Sequence, residues 1–532
     1  MDLSRLLDYM DQNACNSVAV FCKEKKTIKF QDMKLDVLKM VSYIKKIRKL
    51  PKGEYIGIVG DNSYEWMVVD LACLVGGWIS VSFHAKDFEA NKNALLTKYN
   101  MQVVFADAPY CEDDKRYVPF EKVFAEIANI DTYDKKVKFE FAPKDVFTII
   151  YTSGTTGTPK ALKIMAGAVE SFINGFYSLY DFTSEDKVFI FLPLSVLTCR
   201  AYIYASIMGG IDILLADMST FTMAMKVGKP TILQGVPHLF ETVYDTVNGV
   251  ITSDIKKKVA VNTFFALKHK HLIPKKYIEI FQKKFLKAFH DFWGGKMRLM
   301  ITGSASIRRD VLEFYNDAGI PLYEAYGINE GGVLAINYPG NVRIGSVGKP
   351  FMQRNIKIAE DGEVLVKNDD YAFACGYQED DLAFEKKVYR SDGYIATGDI
   401  GYFDKDGFLY LCGRKKEIIT LSNGEKIMPA QMENRIKESD MIKQICLFGN
   451  EKPFLVAIVT PSNKDIIRED VDNEVKRFKK YGEEYAKIKD VILTREPFSI
   501  DNKELNVNLK LARKEIATHY KNELKQIFGM EI

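Results

Sequence analysis

Between residues 151 and 160 the chain reads Tyr151-Thr152-Ser153-Gly154-Thr155-Thr156-Gly157-Thr158-Pro159-Lys160. Ser and Thr hydroxyls fill five of the ten positions, and two glycines let the backbone turn its N–H groups inward. Lys160 adds a point charge. Hydroxyls, inward amides and an ammonium together make a cradle for phosphate. It is a different loop from G-x-x-x-x-G-K-[ST], because Pro159 precedes Lys160 and Ala161 follows it. An apolar strand over 146–151 should lead into the loop, and a helix over 168–180 should follow it.

Further segments that combine glycines with aromatic or charged side chains come later in the chain. Thr302-Gly303-Ser304-Ala305 follows an apolar strand over 298–302. Tyr326-Gly327-Ile328-Asn329-Glu330 sets an aromatic ring near a carboxylate, and Thr397-Gly398-Asp399 supplies another carboxylate. Gly413-Arg414-Lys415-Lys416-Glu417 is a basic turn, and Ser422-Asn423-Gly424-Glu425-Lys426-Ile427 a Gly-containing loop. Near the end stands Asn506-Val507-Asn508-Leu509-Lys510-Leu511-Ala512-Arg513.

In this order the segments resemble the signatures of the adenylate-forming superfamily, which includes acyl-CoA synthetases, firefly luciferase and peptide-synthetase adenylation domains. They are most similar to long-chain fatty acid–CoA ligases. The resemblance implies that Thr152, Ser153, Gly154, Thr155, Thr156, Gly157 and Lys160 hold the ATP phosphates. It places Gly303 and Ala305 beside the adenine and the acyl group, Tyr326 and Gly327 at the adenine, and Asn329 at the α-phosphate, where Thr is usual. Glu330, with Thr155, would bind Mg²⁺, Asp399 the ribose, and Arg414 the ribose or α-phosphate. Lys416 is the expected pivot of the C-terminal domain, Gly424 the point where the acceptor's thiol arm passes, and Lys510 the catalytic lysine. The Thr-Pro that usually precedes that lysine is missing, which leaves Lys503 and Lys514 as weaker candidates. Glu433 closes a P-x-x-[IM]-E element. Two further departures are Val196, where L-P-L-x-H-x-x-x-R has His, and Met165-Ala166, where Thr-His is usual.

The implied reaction uses ATP, Mg²⁺ and coenzyme A. A carboxylic acid, of medium- to long-chain fatty type, becomes acyl-AMP and then acyl-CoA. The alternatives are an acyl-AMP ligase loading a separate carrier protein, a luciferase-like oxygenase, and a decayed nucleotide-binding protein.

The elements around these segments alternate helix and strand. Helical spacing of Leu3, Leu6, Leu7 and Met10 opens the chain, and strands are expected at 17–21, 27–30, 55–59, 79–83 and 103–106. Asp61-Asn62-Ser63 should cap a helix that Gly76-Gly77 ends. The expectation is an α/β fold with a mainly parallel sheet. A large N-terminal adenylation domain over 1–412 would include a β-rich subdomain at 330–411. A small mobile α+β domain would follow over 413–532.

The chain has 532 residues, 47% of them hydrophobic and 27% charged, with a net charge of +3. That is enough for several domains and too near neutral for a binder of bulk polyanions, so no nucleic-acid partner is expected. Eight cysteines without a C-x-x-C pair suit free thiols in a reducing compartment. With no signal layout at the N-terminus, the cytoplasm is the expected location. The apolar stretches 66–83 and 188–216 are interrupted by Asp70 and by Pro193 and Arg200, and read as core elements. A Lys-rich region, with tracts at 256–258 and 268–287, is interleaved with Phe281 and Phe285, and Phe289, Phe292 and Trp293 follow. It reads first as a solvated face and second as an aromatic-studded membrane contact. A homodimer also stays open.

Overall fold

The computed structural model describes residues 1–532 apart from 84, 113, 138, 140, 153–159, 271, 370–371, 379–381, 495, 506–509 and 530–532. Among the described residues two large sheets carry the N-terminal part. One runs in the order Ala374–Tyr377, Lys160–Met165, Val146–Thr152, Ile79–Phe83, Tyr55–Val59, Val103–Ala106, Tyr117–Pro119. The other runs Lys349–Pro350, Gly332–Ile336, Leu322–Ile328, Leu299–Thr302, Ile232–Gly235, Lys187–Ile190, Asp212–Leu215, Ser17–Val20, Lys26–Lys29. Neighbours in the middle of each sheet are parallel, and antiparallel pairs occur toward the ends. Parallel strands are covered on both faces, so they are apolar throughout. Val103–Ala106 and Leu299–Thr302 are accordingly buried at every residue.

Helices Tyr64–Gly76 and Leu197–Gly209 are buried almost all round. They share one apolar core with residues from both large sheets, including Ile56, Phe105, Val188 and Ile213. This explains why 66–83 and 188–216 are rich in apolar residues without spanning a membrane. Among the described residues no helix is long and apolar enough to cross one. The interruptions pair with each other: the Arg200 guanidinium donates to Asp70 at 2.5 Å, to Ser80 at 2.9 Å and to Thr148 at 2.8 Å. Tyr204 donates to the other Asp70 oxygen at 2.5 Å. Ser63 caps the first helix by accepting from the Trp66 N–H at 3.1 Å, and Gly77 turns the chain out at φ +81°.

The β-rich stretch expected at 330–411 is divided among three sheets. Gly332–Ile336 and Lys349–Pro350 extend the nine-stranded sheet, and Ala374–Tyr377 joins the sheet of the phosphate loop. Ile356–Ile358, Glu363–Lys367, Tyr394–Phe403 and Leu409–Arg414 form a separate antiparallel sheet. Short strands with similar turns look alike in sequence, and only their long-range partners assign them to a sheet.

Beyond Arg414, strands Ile442–Phe448, Leu455–Pro461 and Ile488–Leu493 form a three-stranded sheet. Strand alternation sends Ile445, Ala457 and Val459 to one face, against helices Pro429–Ile436 and Arg468–Arg477. Cys446, Val456 and Ile458 face the other way, against Arg513–His519 and Lys521–Phe528.

The Lys-rich tract forms helices Ile255–His269, Lys275–Phe285 and Lys287–Phe292. Its aromatics divide: Phe292 is 36% exposed, while others turn inward. Phe289 and Trp293 are fully buried, and Phe281 stacks on Phe264 with ring centroids 3.7 Å apart. The apolar core behind the large sheet draws these rings inward.

Candidate active site

Strand Val146–Thr152 delivers the chain to the phosphate loop, and Lys160 stands opposite Thr152 as the chain returns. The expected strand-to-helix turn is instead a hairpin. Residues Lys160–Met165 pair with Val146–Thr152 on one side and Ala374–Tyr377 on the other, and the helix follows this strand from Ala166. Ser153, Gly154, Thr155, Thr156 and Gly157 lie outside the described residues, as does the side chain of Thr152. The Lys160 ammonium sits 3.2 Å from the centroid of the Phe384 ring, a cation–π seat.

Strand Leu299–Thr302 ends at Gly303, where a β-carbon would stand 2.8 Å from the Ala325 carbonyl oxygen. Ala305 is exposed beyond it. The neighbouring strand, Leu322–Ile328, carries Tyr326 and Gly327. A β-carbon at Gly327 would stand 2.5 Å from the Gly332 carbonyl oxygen, so the return strand passes too close for any side chain. Asn329 is exposed and Glu330 half-buried in the turn between the strands. The Tyr377 hydroxyl donates to Glu330 Oε1.

Asp399 is the centre of the described site. It is buried on Tyr394–Phe403, directly across from Arg414 on Leu409–Arg414. Tyr326 donates its hydroxyl proton to Asp399 Oδ2 at 2.5 Å, and Arg414 Nε lies 2.8 Å from Oδ1. Burial raises the Asp399 carboxyl above its ordinary value, while Arg414 and Tyr326 pull it back down. Lys510 reaches the same place from the C-terminal unit. Its ammonium is held below the usual lysine value, first by burial and then by Arg414, with Asp399 and Glu417 acting in the opposite sense. Lys503 and Lys514, by contrast, are exposed.

The lysine's position depends on the residues that follow it. Helix Arg513–His519 starts three residues on, and Arg513 forms a two-pronged pair with Glu433. Its two terminal nitrogens lie 2.7 and 2.5 Å from the two carboxylate oxygens. Glu433 also accepts from the Leu447 N–H at 2.7 Å, which ties the pair to the three-stranded sheet. A planar fork on a carboxylate fixes direction as well as distance.

The structure thus brings Tyr326, Asp399, Arg414 and Lys510 together. Lys416 is exposed in the short helical turn Lys415–Glu417 next to them. Gly424 lies on an exposed hairpin at φ +83°, and a β-carbon there would meet nothing within 4 Å. Val196 is half-buried against the apolar core, and Met165 ends the strand from which the next helix starts. Sequence reasoning missed Tyr377 and Phe384, whose contacts to Glu330 and Lys160 carry no spacing signal.

A family profile for the AMP-binding enzyme matches residues 8–370, and one for the AMP-binding enzyme C-terminal domain matches 416–531. The chain belongs to the AMP-binding enzyme family. As an adenylate-forming enzyme it is most like long-chain fatty acid–CoA ligases. This AMP-binding enzyme is 26% identical to the long-chain-fatty-acid–CoA ligase FadD15 of Mycobacterium bovis, over 90% of this chain and 88% of the relative. It is 25% identical to the human long-chain-fatty-acid–CoA ligase 1, over 91% of this chain and 80% of the relative. The fold matches the adenylation domain of a carboxylate reductase from Mycobacterium chelonae, with a TM-score of 0.79 at 17% identity, over 99% of this chain and 91% of that one. It also matches the O-succinylbenzoate coenzyme A synthetase of Bacillus subtilis, solved with AMP, with a TM-score of 0.72 at 19% identity, over 95% of this chain and 97% of that one.

Proposed function

We propose that this enzyme activates a medium- to long-chain fatty acid with ATP and transfers the acyl group to coenzyme A. The observation that carries the reading is the meeting of Lys510 with Asp399 and Arg414. A desolvated ammonium stands beside a carboxylate suited to a ribose diol and a guanidinium suited to phosphate. The names of the relatives supply the acyl class and the acceptor.

A carboxylate is a poor acyl donor because it would have to expel oxide. In the first step a carboxylate oxygen attacks the α-phosphorus of ATP. The new P–O bond forms as the bond to the β-phosphate bridging oxygen breaks, and pyrophosphate leaves with that electron pair. Lys510 would hold the incoming carboxylate and the α-phosphate together, neutralising two anions that otherwise repel. Asp399 would accept from the ribose hydroxyls, Tyr326 would flank the adenine, and Arg414 would steady the ribose or α-phosphate. Lys160 and the hydroxyls of Thr152, Ser153, Thr155 and Thr156 would take the β- and γ-phosphates.

Mg²⁺ fits the donor set, since it binds through one or two carboxylates plus substrate phosphates, and Glu330 presents one half-buried carboxylate. When bound, it supplies charge neutralisation on the phosphate oxygens. In the second step the thiol sulfur of coenzyme A attacks the acyl carbonyl and AMP leaves. The resemblance implies that the C-terminal unit pivots near Lys416 and brings Gly424 to the acceptor.

Mass spectrometry of products from the protein, ATP, Mg²⁺, coenzyme A and acids from acetate to eicosanoate tests the reading. Acyl-CoA with AMP supports it and identifies the acid. Acyl-AMP without acyl-CoA would favour a carrier protein as acceptor. Neither product with any acid would overturn it.

A further inference from the structure

The chain as a whole is nearly neutral, yet its charge is segregated. Residues 255–287 hold ten lysines and one acidic residue, Glu279, with no arginine. A 33-residue segment of charge +9 in a chain of charge +3 leaves the remainder net acidic. Lys268 pairs with Asp317 and Lys287 with Asp291. Among the described residues Lys256, Lys257, Lys258, Lys270 and Lys276 are exposed and carry no acidic partner.

The same helices expose large apolar side chains. At 3.6 residues per turn, Ile255 and Val259 lie on the side of Ile255–His269 away from buried Val261 and Phe264. Ile255 is 78% exposed and Val259 58%. The adjoining helix Lys275–Phe285 packs through Phe281 onto Phe264 and leaves Tyr277 61% and Ile280 49% exposed. Leu272, in the link between the helices, is 66% exposed. A merely solvated face would carry the lysines without these side chains. A docking site for a folded protein partner would not need so one-sided a charge.

We infer that the outer face of helices Ile255–His269 and Lys275–Phe285 docks on an anionic lipid surface. Lysines flanking aliphatic side chains and a tyrosine match what such a surface offers, acidic headgroups above an apolar boundary. Of the aromatics that suggested a membrane contact in sequence, Phe289 and Trp293 are buried and Phe281 packs on Phe264. The contact rests on Ile255, Val259, Leu272, Tyr277 and Ile280 instead. Docking there would place the enzyme where an amphipathic long-chain acid partitions, a consequence that rests on the ligase reading, whereas the docking itself does not.

Co-sedimentation of the full chain tests it, with vesicles of phosphatidylcholine alone and with about one-third phosphatidylglycerol. Binding is expected to the anionic vesicles only, weakening as salt rises. Replacing Lys256, Lys257, Lys258 and Lys276 by Glu should cut it by at least about tenfold, as should Ile255→Ser with Val259→Ser and Ile280→Ser. Unchanged thermal unfolding shows that each variant is folded. All these positions are exposed, and either set of substitutions suffices for the test. Equal binding to neutral vesicles, binding that both variants leave intact, or binding to duplex DNA in place of vesicles overturns the inference. Pyrophosphate release with octanoate, measured on the same samples, reports on the ligase reading separately. Vesicle binding without pyrophosphate leaves the docking face standing, and pyrophosphate without vesicle binding removes it.

Discussion

Lys510 is where one side chain decides the most. Lys510→Ala should lower acyl-AMP formation by at least about 100-fold, because an oriented charge next to the reacting phosphate is lost. Lys503→Ala and Lys514→Ala, on exposed side chains, should stay within about threefold of the parent. Pyrophosphate release in a single turnover separates the cases, and equal loss at Lys503 would reassign the lysine. The pH dependence follows from the same burial. The Lys510 ammonium is held below the usual lysine value, so its charge is lost at lower pH than that of an exposed lysine. Adenylation should therefore fall on the alkaline side before ordinary lysines titrate. With Lys510→Arg, whatever activity remains should lack that alkaline limb.

At the scale of elements, two buried carboxylates behave differently. Asp70 joins the first buried helix to Arg200 on the second, and both side chains are essentially solvent-free. Arg200→Met should cost about 3–5 kcal/mol, since it leaves Asp70 charged and short of its main partner. Chemical denaturation would show this as a lower midpoint at unchanged slope. Glu324, two residues before Tyr326 on the same strand, lacks a counter-charge of this kind. Burial pushes its carboxyl up from 4.5 to about 8, against a hydrogen bond from the Gly345 backbone. An acid with a raised value in the folded state favours the folded state most when protonated. That contribution is complete below 4.5 and is lost progressively as pH rises to about 8. Glu324→Gln should therefore be more stabilising, relative to the parent, at pH about 8 than at pH about 5. Unfolding midpoints at the two values check the sign.

The whole molecule enters through the C-terminal unit, which must supply Lys510 in one step and Gly424 in the next if the proposed function holds. Gly424 has φ +83° and open space around it, so a side chain there is strained in backbone without clashing in this arrangement. Gly424→Leu should leave acyl-AMP formation within about threefold and slow acyl-CoA formation by at least about tenfold. Pyrophosphate and acyl-CoA followed in one reaction would resolve the two steps. Equal slowing of both would mean that Gly424 serves the first step or the fold.

Local chemistry made much of this protein legible in sequence. Strands 55–59, 79–83 and 103–106 stand where their apolar runs put them, and Ser63 and Gly77 bound their helix as capping physics requires. The motifs around Tyr326, Asp399, Arg414 and Lys510 could be listed because they resemble the family's signatures in the same order. Their convergence could not, since Asp399 and Lys510 lie in separate units and meet only when both have folded. The hairpin at Lys160 was hidden for a similar reason. Residues 160–165 become a strand by pairing with Val146–Thr152 and Ala374–Tyr377, and the second partner is some 200 residues away. The tertiary structure likewise decided that Phe289 and Trp293 fill a core while Ile255 and Tyr277 face water. Spacing along a helix defines a stripe, and only the packing of neighbouring elements determines which stripe is covered.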